Sequence, residues 1–438
     1  MKVKQPGMYY LLILLVLVII PVMLTFKLFS RDVPVDNFEA GKDTIEIRFL
    51  SSWGGTDTKA QQLQKILEEF EKDNPGVKII NESMSGTEFL FKLKTNFAQG
   101  NDPDVFGLWP GSDIKILIRQ GKVADLTGLL SNDKEWADSF GEDAWSYDQF
   151  DGKIYGLPCE IIYEGLFINK DLFKKYGIKV PGNYEELKDA VKAFRGYGII
   201  PIAYNSTPEG TFLYQNIVMK LGGKEDTENP YRDGKINQCY IDGMKYIKEL
   251  YELGAFPRNA FTIDDKTRDN LFIEKKAAMI VQGSWFIGNG SLYAEDESVD
   301  IVPFPVFKEG KAHPSSIIYG LGNGNFHMSA RAYQSPEKRE MCVKLLKHLT
   351  SSETAKLFSL ESSFISNIRI PDQDMQPSRL MRRGKVLIAQ SKELIGPTDS
   401  FIDRNLWEQI LVTSFPHVLE GRKTPEEVFE EIDHRAMQ

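Results

Sequence analysis

The sequence predicts an α/β protein of two lobes that is preceded by one N-terminal transmembrane helix, and three observations support this. The chain has 438 residues, which exceeds the size of one ordinary domain and favours two. Segments with strand spacing alternate with segments of helical spacing, as in α/β proteins. The segment Met8–Phe26 carries no charged residue, and a helix of this length spans roughly 28 Å, enough to cross the hydrocarbon core of a membrane.

We expect the apolar segment to be retained as a membrane anchor. Between Thr25 and Glu39 there is no small-residue site of the kind that signal peptidases cleave. A lipoprotein would need a cysteine directly after the apolar stretch, and the first cysteine is Cys159. Residues 1–29 are therefore predicted to be an anchor and residues 30–42 a polar tether. The remainder would lie on the extracytoplasmic side of the cell membrane.

The composition argues against nucleic-acid binding and against a metal or disulfide framework. With 53 Lys and Arg against 62 Asp and Glu, the net charge is −9, so we expect no basic face that collects phosphates. Cys159, Cys239 and Cys342 are odd in number and too widely spaced for a metal knuckle. We interpret them as buried thiols.

The first part of the exported region alternates strands and helices. Alternating apolar residues predict a first strand at 45–49, and Leu63, Ile66, Leu67 and Phe70 have the spacing of a helix face. Further strands are predicted at 77–80 and 104–108, and further helices at 89–98 and 114–119. This order predicts a parallel sheet with helices on both faces.

The positions of three tryptophans give the first indication of function. Ligands of such sheets bind beyond the carboxyl ends of the strands. Trp53 and Trp109 follow the first and third strands, and Trp285 follows a buried strand predicted at 277–281. A glycine-rich stretch at 320–324 lacks the last glycine of a dinucleotide-binding fingerprint, and we interpret it as a flexible backbone crossing.

The later part of the chain continues the alternation. Strands are predicted at 152–158 and 166–169, and helices at 171–176, 184–194, 213–221, 242–253, 335–350, 352–360, 401–419 and 424–436.

Motifs for catalysis are absent from the sequence. It contains no G-x-S-x-G, no H-E-x-x-H and no Gly-Lys followed by Ser or Thr, and its five histidines do not have metal-ligand spacing. We therefore expect a binding protein without catalytic residues, cofactor or metal.

Several stretches, in order along the chain, carry a resemblance to a known family. They are Ile45–Gly55 with its Trp-Gly, AQGNDPDVF at 98–106, GKIYGLP at 152–158 followed by FINKDLF at 167–173, QGSW at 282–285, the helix ending in LTSSE at 349–353, and GRKT at 421–424. In these, the chain resembles the family 1 extracellular solute-binding proteins of bacterial ABC importers, in their sugar-binding branch.

The resemblance implies a periplasmic-binding-protein-like fold, in which two α/β lobes close over a solute in the cleft between them. One lobe would comprise residues 43–160 and 321–366, and the other residues 161–320 and 367–438, with a hinge where the chain crosses. The bound solute, a mono- or oligosaccharide, would pass to the permease subunits of an ABC importer.

Sugar sites combine aromatic rings, which lie against C–H faces, with charged or amide groups that bind hydroxyls. Matching by motif gives the candidates Trp53, Asp57, Trp109, Asp113, Glu160, Phe212, Tyr214, Trp285, Arg404 and Trp407. Each aromatic residue could instead be part of a core. Asp57 and Asp113 could cap the helices that follow them, and Glu160 could be a hydrogen-bonding residue of the hinge.

Other functions stay open from the sequence alone. A membrane-tethered sensing subunit would bind the same solute but signal through a partner. A glycosidase could use Glu160 and Glu164 as its pair of carboxylates. Within the binding function, a phosphorylated polyol or a peptide could replace the sugar.

Overall fold

A computed structural model of the protein describes residues 44–141, 145, 149–288, 291–362, 364–371 and 376–436. The anchor and the tether predicted at 1–29 and 30–42 lie outside these residues. Among the residues that are described, no helix has both the length and the apolar character that a membrane crossing requires.

Strands and helices alternate through most of the described chain. The strands are β1 Ile45–Leu50, β2 Val77–Asn81, β3 Val105–Gly107, β4 Gln149–Phe150, β5 Lys153–Ile154, β6 Leu157–Pro158, β7 Glu160–Asn169, β8 Ile200–Ala203, β9 Tyr231–Arg232, β10 Lys235–Ile236, β11 Ala277–Gly283, β12 Val299–Val302, β13 Ile317–Leu321, β14 Asn325–Met328, β15 Ile365–Ser366 and β16 Leu394–Ile395. The α-helices are α1 Ala60–Asp73, α2 Gly86–Ala98, α3 Ser112–Arg119, α4 Thr127–Asn132, α5 Lys134–Asp138, α6 Lys170–Tyr176, α7 Tyr184–Gly196, α8 Phe212–Glu228, α9 Gln238–Glu252, α10 Asp265–Ile273, α11 Ala330–Gln334, α12 Pro336–Leu349, α13 Ser352–Glu361, α14 Arg379–Gln390, α15 Arg404–Leu406, α16 Thr413–Leu419 and α17 Pro425–Ala436.

The first sheet has the strand order β2-β1-β3-β14-β6. The pairs β1–β2 and β1–β3 are parallel, as predicted, with Ile47 opposite Ile79. However, β14 runs antiparallel to β3 and β6, so the sheet is mixed and not fully parallel. The reason is that β14 comes from far along the sequence, outside the local strand–helix alternation. We call the part of the chain built on this sheet the first lobe.

The second sheet has the order β16-β13-β7-β11-β8, and β12 and β15 also pair with β7. Its long strand β7 begins at Glu160, whereas the sequence predicted a start at 166. The early part of β7 is paired with β13 and β15, through Tyr163 with Tyr319 and Ile161 with Ile365. Partners so distant in sequence leave no local signal. We call the part built on this sheet the second lobe.

Three neighbouring segments carry the chain between the sheets. Cys159 joins β6 to β7, and residues 322–324 join β13 to β14. The third segment consists of β15 and the residue that follows it, Asn367. They are hydrogen-bonded side by side, because Cys159 N–H donates to Gly324 O at 2.7 Å and Asn367 N–H donates to Cys159 O at 2.8 Å. We call them the crossing segments.

The boundary between the lobes that was predicted at residue 366 is not a single crossing of the chain. Ile365 packs in a core of the second lobe, but Ile368 is buried in the core of the first lobe and Ile370 packs against it. The first lobe therefore includes contacts from residues that the sequence assigned to the second.

The predicted helix at 401–419 begins later and is not uniform. Asp403 caps its start, since the carboxylate accepts from the N–H groups of Asn405 and Leu406. Residues Trp407–Val412 then form a π-helical turn before α16. The first predicted helix is confirmed as α1, with Leu63, Ile66, Leu67 and Phe70 all buried.

Candidate ligand-binding cleft

The half-buried pair Phe212 and Trp285 lies where strands of the second sheet end. Trp285 lies two positions after the last residue of β11, and Phe212 is the first residue of α8. Their rings meet edge to face with centroids 5.2 Å apart, and neither side chain is fully buried. The structure brings these two predicted residues together as an aromatic surface.

Gly283 makes room for the Trp285 ring. A Cβ atom at this position would lie 2.1 Å from the ring carbons of Trp285, far inside van der Waals contact. The end of β11 therefore needs a glycine for the ring to occupy its place.

Glu164 and Asn216 form a buried polar pair at the same strand end. Glu164 lies opposite Gly283 in the pairing of β7 with β11, and Asn216 Nδ2 donates to Glu164 Oε2 at 2.7 Å. Burial raises the pKa of Glu164 well above its usual value, the nearby Asp399 raises it further, and the bond from Asn216 opposes this. Asn216 and Asp399 were missed from the sequence, where neither belongs to a motif.

Glu209 and Arg268 form a second group beside the aromatic pair. Glu209 opens the helical turn that leads into Phe212, and its carboxylate lies 3.0 Å from Arg268 Nη2. The buried Arg268 also pairs with Asp265 at 3.2 Å and Asp269 at 2.7 Å. Sequence reasoning missed this cluster. Its one sequence signal is that Glu209 lies between the end of β8 and the start of a helix.

Trp109, Asp113 and Arg404 are also brought together, across the two lobes. Arg404 Nε donates to Asp113 Oδ2 at 3.4 Å, and the guanidinium lies 5.2 Å from the centroid of the half-buried Trp109 ring. Asp113 further pairs with Lys94 at 2.9 Å. In this structure, Asp113 and Arg404 thus bind each other.

Two cavities flank this group of charges. One has a volume of about 330 Å³, and its walls include Gly111, Lys115 and Phe150 of the first lobe and Ser400 and Phe401 of the second. The other, of about 600 Å³, is lined by residues of α2 in the first lobe and by residues of the π-helical region in the second. Both cavities have walls from the two lobes, and Phe212, Trp285 and Trp109 are not among the residues that line them.

Trp53 lies in the core of the first lobe and not in the cleft. It is 1% exposed, and its ring packs edge-on against Phe326, Phe358 and Phe364 at 4.8–5.8 Å. The prediction of a ligand contact is corrected here, because these three distant rings and the nearby Lys59 enclose the Trp53 ring.

Tyr214 and Trp407 are core residues of the second lobe. Both are 0% exposed, and their rings pack with centroids 5.8 Å apart. The Tyr214 hydroxyl donates to Tyr240 O at 2.9 Å. This placement also corrects the prediction of ligand contacts for these two residues.

Glu160 and Asp57 have structural partners. Glu160 forms a buried ion pair with Lys59 at 3.2 Å and accepts from Gly324 N–H at 3.1 Å, so it lies against the crossing segments. Asp57 Oδ1 accepts from Lys59 N–H at 2.8 Å and so stabilises the turn before α1. The contacts of Glu160 correspond to the hinge role that the sequence left open for it, whereas Asp57 stabilises the preceding turn and does not cap α1, whose N-cap is Lys59.

A comparison with protein families decides what kind of protein this is. Residues 54–356 match the family of bacterial extracellular solute-binding proteins, which is more than half of the chain. The chain belongs to this family. The resemblance inferred from the sequence is therefore confirmed.

Curated solute-binding relatives match most of the chain at modest identity. The multiple sugar-binding protein of Streptococcus mutans is 22% identical over 334 residues, which are 73% of this chain and 74% of the relative. The maltodextrin-binding protein MdxE of Bacillus subtilis is 26% identical over 315 residues, which are 69% of each chain.

Solved structures agree with the two-lobed α/β solute-binding fold. A chitin oligosaccharide binding protein has a TM-score of 0.79 and 23% identity, and the match covers 90% of this chain and all (100%) of that one. A protein from a study of xylan utilization by Caldanaerobius polysaccharolyticus has a TM-score of 0.79 and 24% identity, and covers 89% of this chain.

The description of the family also indicates where the protein acts. Its members are described as extracellular, which places the function of this solute-binding protein outside the cytoplasm.

Within the described ranges, no group of three or more His, Cys, Asp or Glu side chains is arranged to hold a metal ion.

Proposed function

We propose that this solute-binding protein captures a carbohydrate between its lobes and delivers it to the permease of an ABC importer. The observation that carries the proposal is the half-buried Phe212–Trp285 pair, which lies beside the polar pair Glu164–Asn216 at one strand end. The relatives named for multiple sugars, maltodextrin and chitin oligosaccharide support the same ligand class.

The chemistry of the site suits a sugar. A pyranose ring has apolar C–H faces and polar hydroxyl edges, so it needs an aromatic surface and nearby hydrogen-bonding groups. Phe212 and Trp285 supply the surface. Glu164, which lies opposite Gly283 and accepts from Asn216, and Glu209, which opens the turn before Phe212, are the candidate polar groups. In the first lobe, Trp109 offers the ring face that Arg404 does not cover as a second surface.

A glycosidase is disfavoured by the places of its two candidate acids. Four positions of an extended strand separate Glu160 from Glu164, which is roughly 13 Å between their Cα atoms. Retaining and inverting glycosidases need their carboxyl groups about 5–9.5 Å apart. Glu160 also forms an ion pair with Lys59. We therefore expect oligosaccharides incubated with the protein to be returned unchanged.

The binding experiment uses the full chain. Mono- and oligosaccharides, a phosphorylated polyol and a peptide are titrated into it by calorimetry, and we expect an oligosaccharide to bind. Replacing an anchor ring in a desolvated pocket costs about 2 kcal/mol, or roughly thirtyfold in affinity, so Trp285→Ala should weaken binding by about that factor. Tyr197→Ala removes an exposed ring of the second lobe and serves as the matched control.

The results separate the alternatives. Failure of every sugar to bind, or binding of only the polyol or the peptide, would overturn the carbohydrate assignment. Trp285→Ala that binds the sugar as tightly as the wild type would show that the cleft has been assigned to the wrong residues.

Delivery and anchoring are tested in the native cell. Loss of sugar uptake on deletion of the gene is expected for an importer component, whereas a sensing subunit would leave uptake intact.

We also propose that residues 1–29 anchor the protein. N-terminal sequencing of protein from the membrane fraction should then find Met8–Phe26 retained, and a start downstream of Lys27 would contradict the anchor.

A further inference from the structure

Arg404 joins the two lobes directly. It is the first residue of α15 in the second lobe. Its backbone N–H donates to Ser112 Oγ at 3.1 Å, and its Nε donates to Asp113 Oδ2 at 3.4 Å. Both partners lie in the first turn of α3 in the first lobe, so each bond crosses the cleft.

The second lobe holds Arg404 in position for these bonds. Its Nη1 lies 3.3 Å from Asp399 Oδ2 and 3.6 Å from a carboxylate oxygen of Glu408. The side chain is only 10% exposed, and its planar face covers Trp109 of the first lobe. With Lys94 on Asp113, the group contains two cations and three carboxylates.

We propose that Arg404 is a closure latch, a positioning residue that binds Ser112 and Asp113 only when the lobes meet and so shifts the protein towards its closed state. The proposal deepens the proposed function and rests on it, because a latch has a role only in a protein whose lobes open and close. A contact formed in one state alone shifts the equilibrium between states by its own free energy. The apparent affinity for a ligand that needs the closed state rises with the closed fraction.

The geometry favours a latch over a direct sugar contact at Arg404. The guanidinium Nε and Nη1 are directed at carboxylates and its face is covered by Trp109. A sugar hydroxyl would have to displace a charge-assisted bond, which is stronger than a neutral one. The rings of Phe212 and Trp285 are only partly buried, so their surface is left to the ligand.

The test measures the distance between lobes in the full chain without any ligand. Spin labels on Glu69→Cys in α1 and Glu430→Cys in α17 report it, since both positions are exposed and the native Cys159, Cys239 and Cys342 are buried. Removing one partner of a buried charge pair is strongly unfavourable, and this pair is made only in the closed state. Arg404→Gln should therefore lower the ratio of closed to open protein by about tenfold and lengthen the distance between the labels.

Variants on both sides of the cleft keep the test decisive. Asp113→Asn replaces the charged acceptor of the same bond by a neutral one in the first lobe and should shift the distance in the same direction, and the double variant should add little to Arg404→Gln. Arg383→Gln breaks an ion pair with Asp300 at 2.7 Å inside the second lobe, and it should leave the distance unchanged.

The outcomes distinguish this proposal from the proposed function. An unchanged distance distribution in folded Arg404→Gln and Asp113→Asn overturns the latch even if sugars bind. A lengthened distance in a protein that binds no sugar supports the latch and overturns the carbohydrate function instead.

Discussion

Lys59 and Glu160 form an ion pair of 3.2 Å in which the side chains are 2% and 4% exposed. Lys59 directly precedes α1 of the first lobe, and Glu160 begins β7 of the second. Burial opposes the charge on Lys59, but the carboxylates of Asp57 and Glu160 outweigh it and raise the pKa of the lysine. Because Glu160 also accepts from Gly324 N–H, the pair fastens two crossing segments to the first lobe.

The first prediction is that Lys59→Met destabilises the protein by about 3 kcal/mol, because a buried charge left without its partner costs that much or more. Urea denaturation followed by circular dichroism measures the change. Lys78→Met is the matched control: the Lys78–Glu71 pair is exposed at the lysine, and surface pairs contribute about 1 kcal/mol or less. Equal losses in the two variants would contradict this role for Lys59.

The sequence located strand ends well but could not distinguish a cleft ring from a core ring. Trp109 and Trp285 follow strands and remain half-buried, whereas Trp53 follows a strand in the same way and is enclosed. The difference arises from Phe326 and Phe358, which lie about three hundred residues further along the chain. Packing between such distant segments is invisible to local patterns.

The second prediction contrasts those two kinds of tryptophan. Trp53→Ala should destabilise the protein by about 3–5 kcal/mol, as for other large-to-small changes of buried aromatic residues. Trp285→Ala should lower stability much less, since its ring is only partly covered, while it weakens sugar binding. Urea denaturation of both variants checks this, and a Trp53→Ala protein as stable as Trp285→Ala would show that the enclosure of Trp53 has been misjudged.

The charged part of the site was partly predictable. Motif matching gave Asp113 and Arg404, and the structure joins them across the cleft. It did not give Asp399 or Asn216. Asp399 lies in the turn after β16 and accepts from Arg404, and Asn216 lies in α8 and donates to Glu164 of β7. Such partners depend on tertiary geometry and not on the type of residue alone.

The third prediction is that Gly283→Ala weakens sugar binding by displacing the Trp285 ring. The added methyl group would lie 2.1 Å from ring carbons, so the ring cannot keep its present place against Phe212. Calorimetry with an oligosaccharide that binds the wild type and near-ultraviolet circular dichroism should both report the change. At Gly196, an added Cβ meets nothing within 4 Å, and Gly196→Ala should bind normally. Normal binding by Gly283→Ala would indicate that the site tolerates a moved ring.

The last prediction concerns the buried carboxyl group of Glu164. Burial and then Asp399 raise its pKa in the folded protein, while in the unfolded chain it titrates near the usual value for glutamate. At pH values between the usual pKa of glutamate and the raised pKa of Glu164, the folded state therefore binds more protons than the unfolded state. By linkage, the stability contributed by this group is present at low pH and is lost as the pH rises towards the folded-state pKa.

Replacing Glu164 by Gln removes this titration and keeps the shape and a hydrogen-bond acceptor for Asn216. The melting temperature of Glu164→Gln should consequently exceed that of the wild type by more at pH 8 than at pH 5. Glu353→Gln, at an exposed position of α13, should show no such difference between the two pH values. A Glu164→Gln protein whose advantage is the same at both, or is larger at pH 5, would mean that Glu164 is ionised in the folded protein, with Asn216 and its surroundings stabilising the charge.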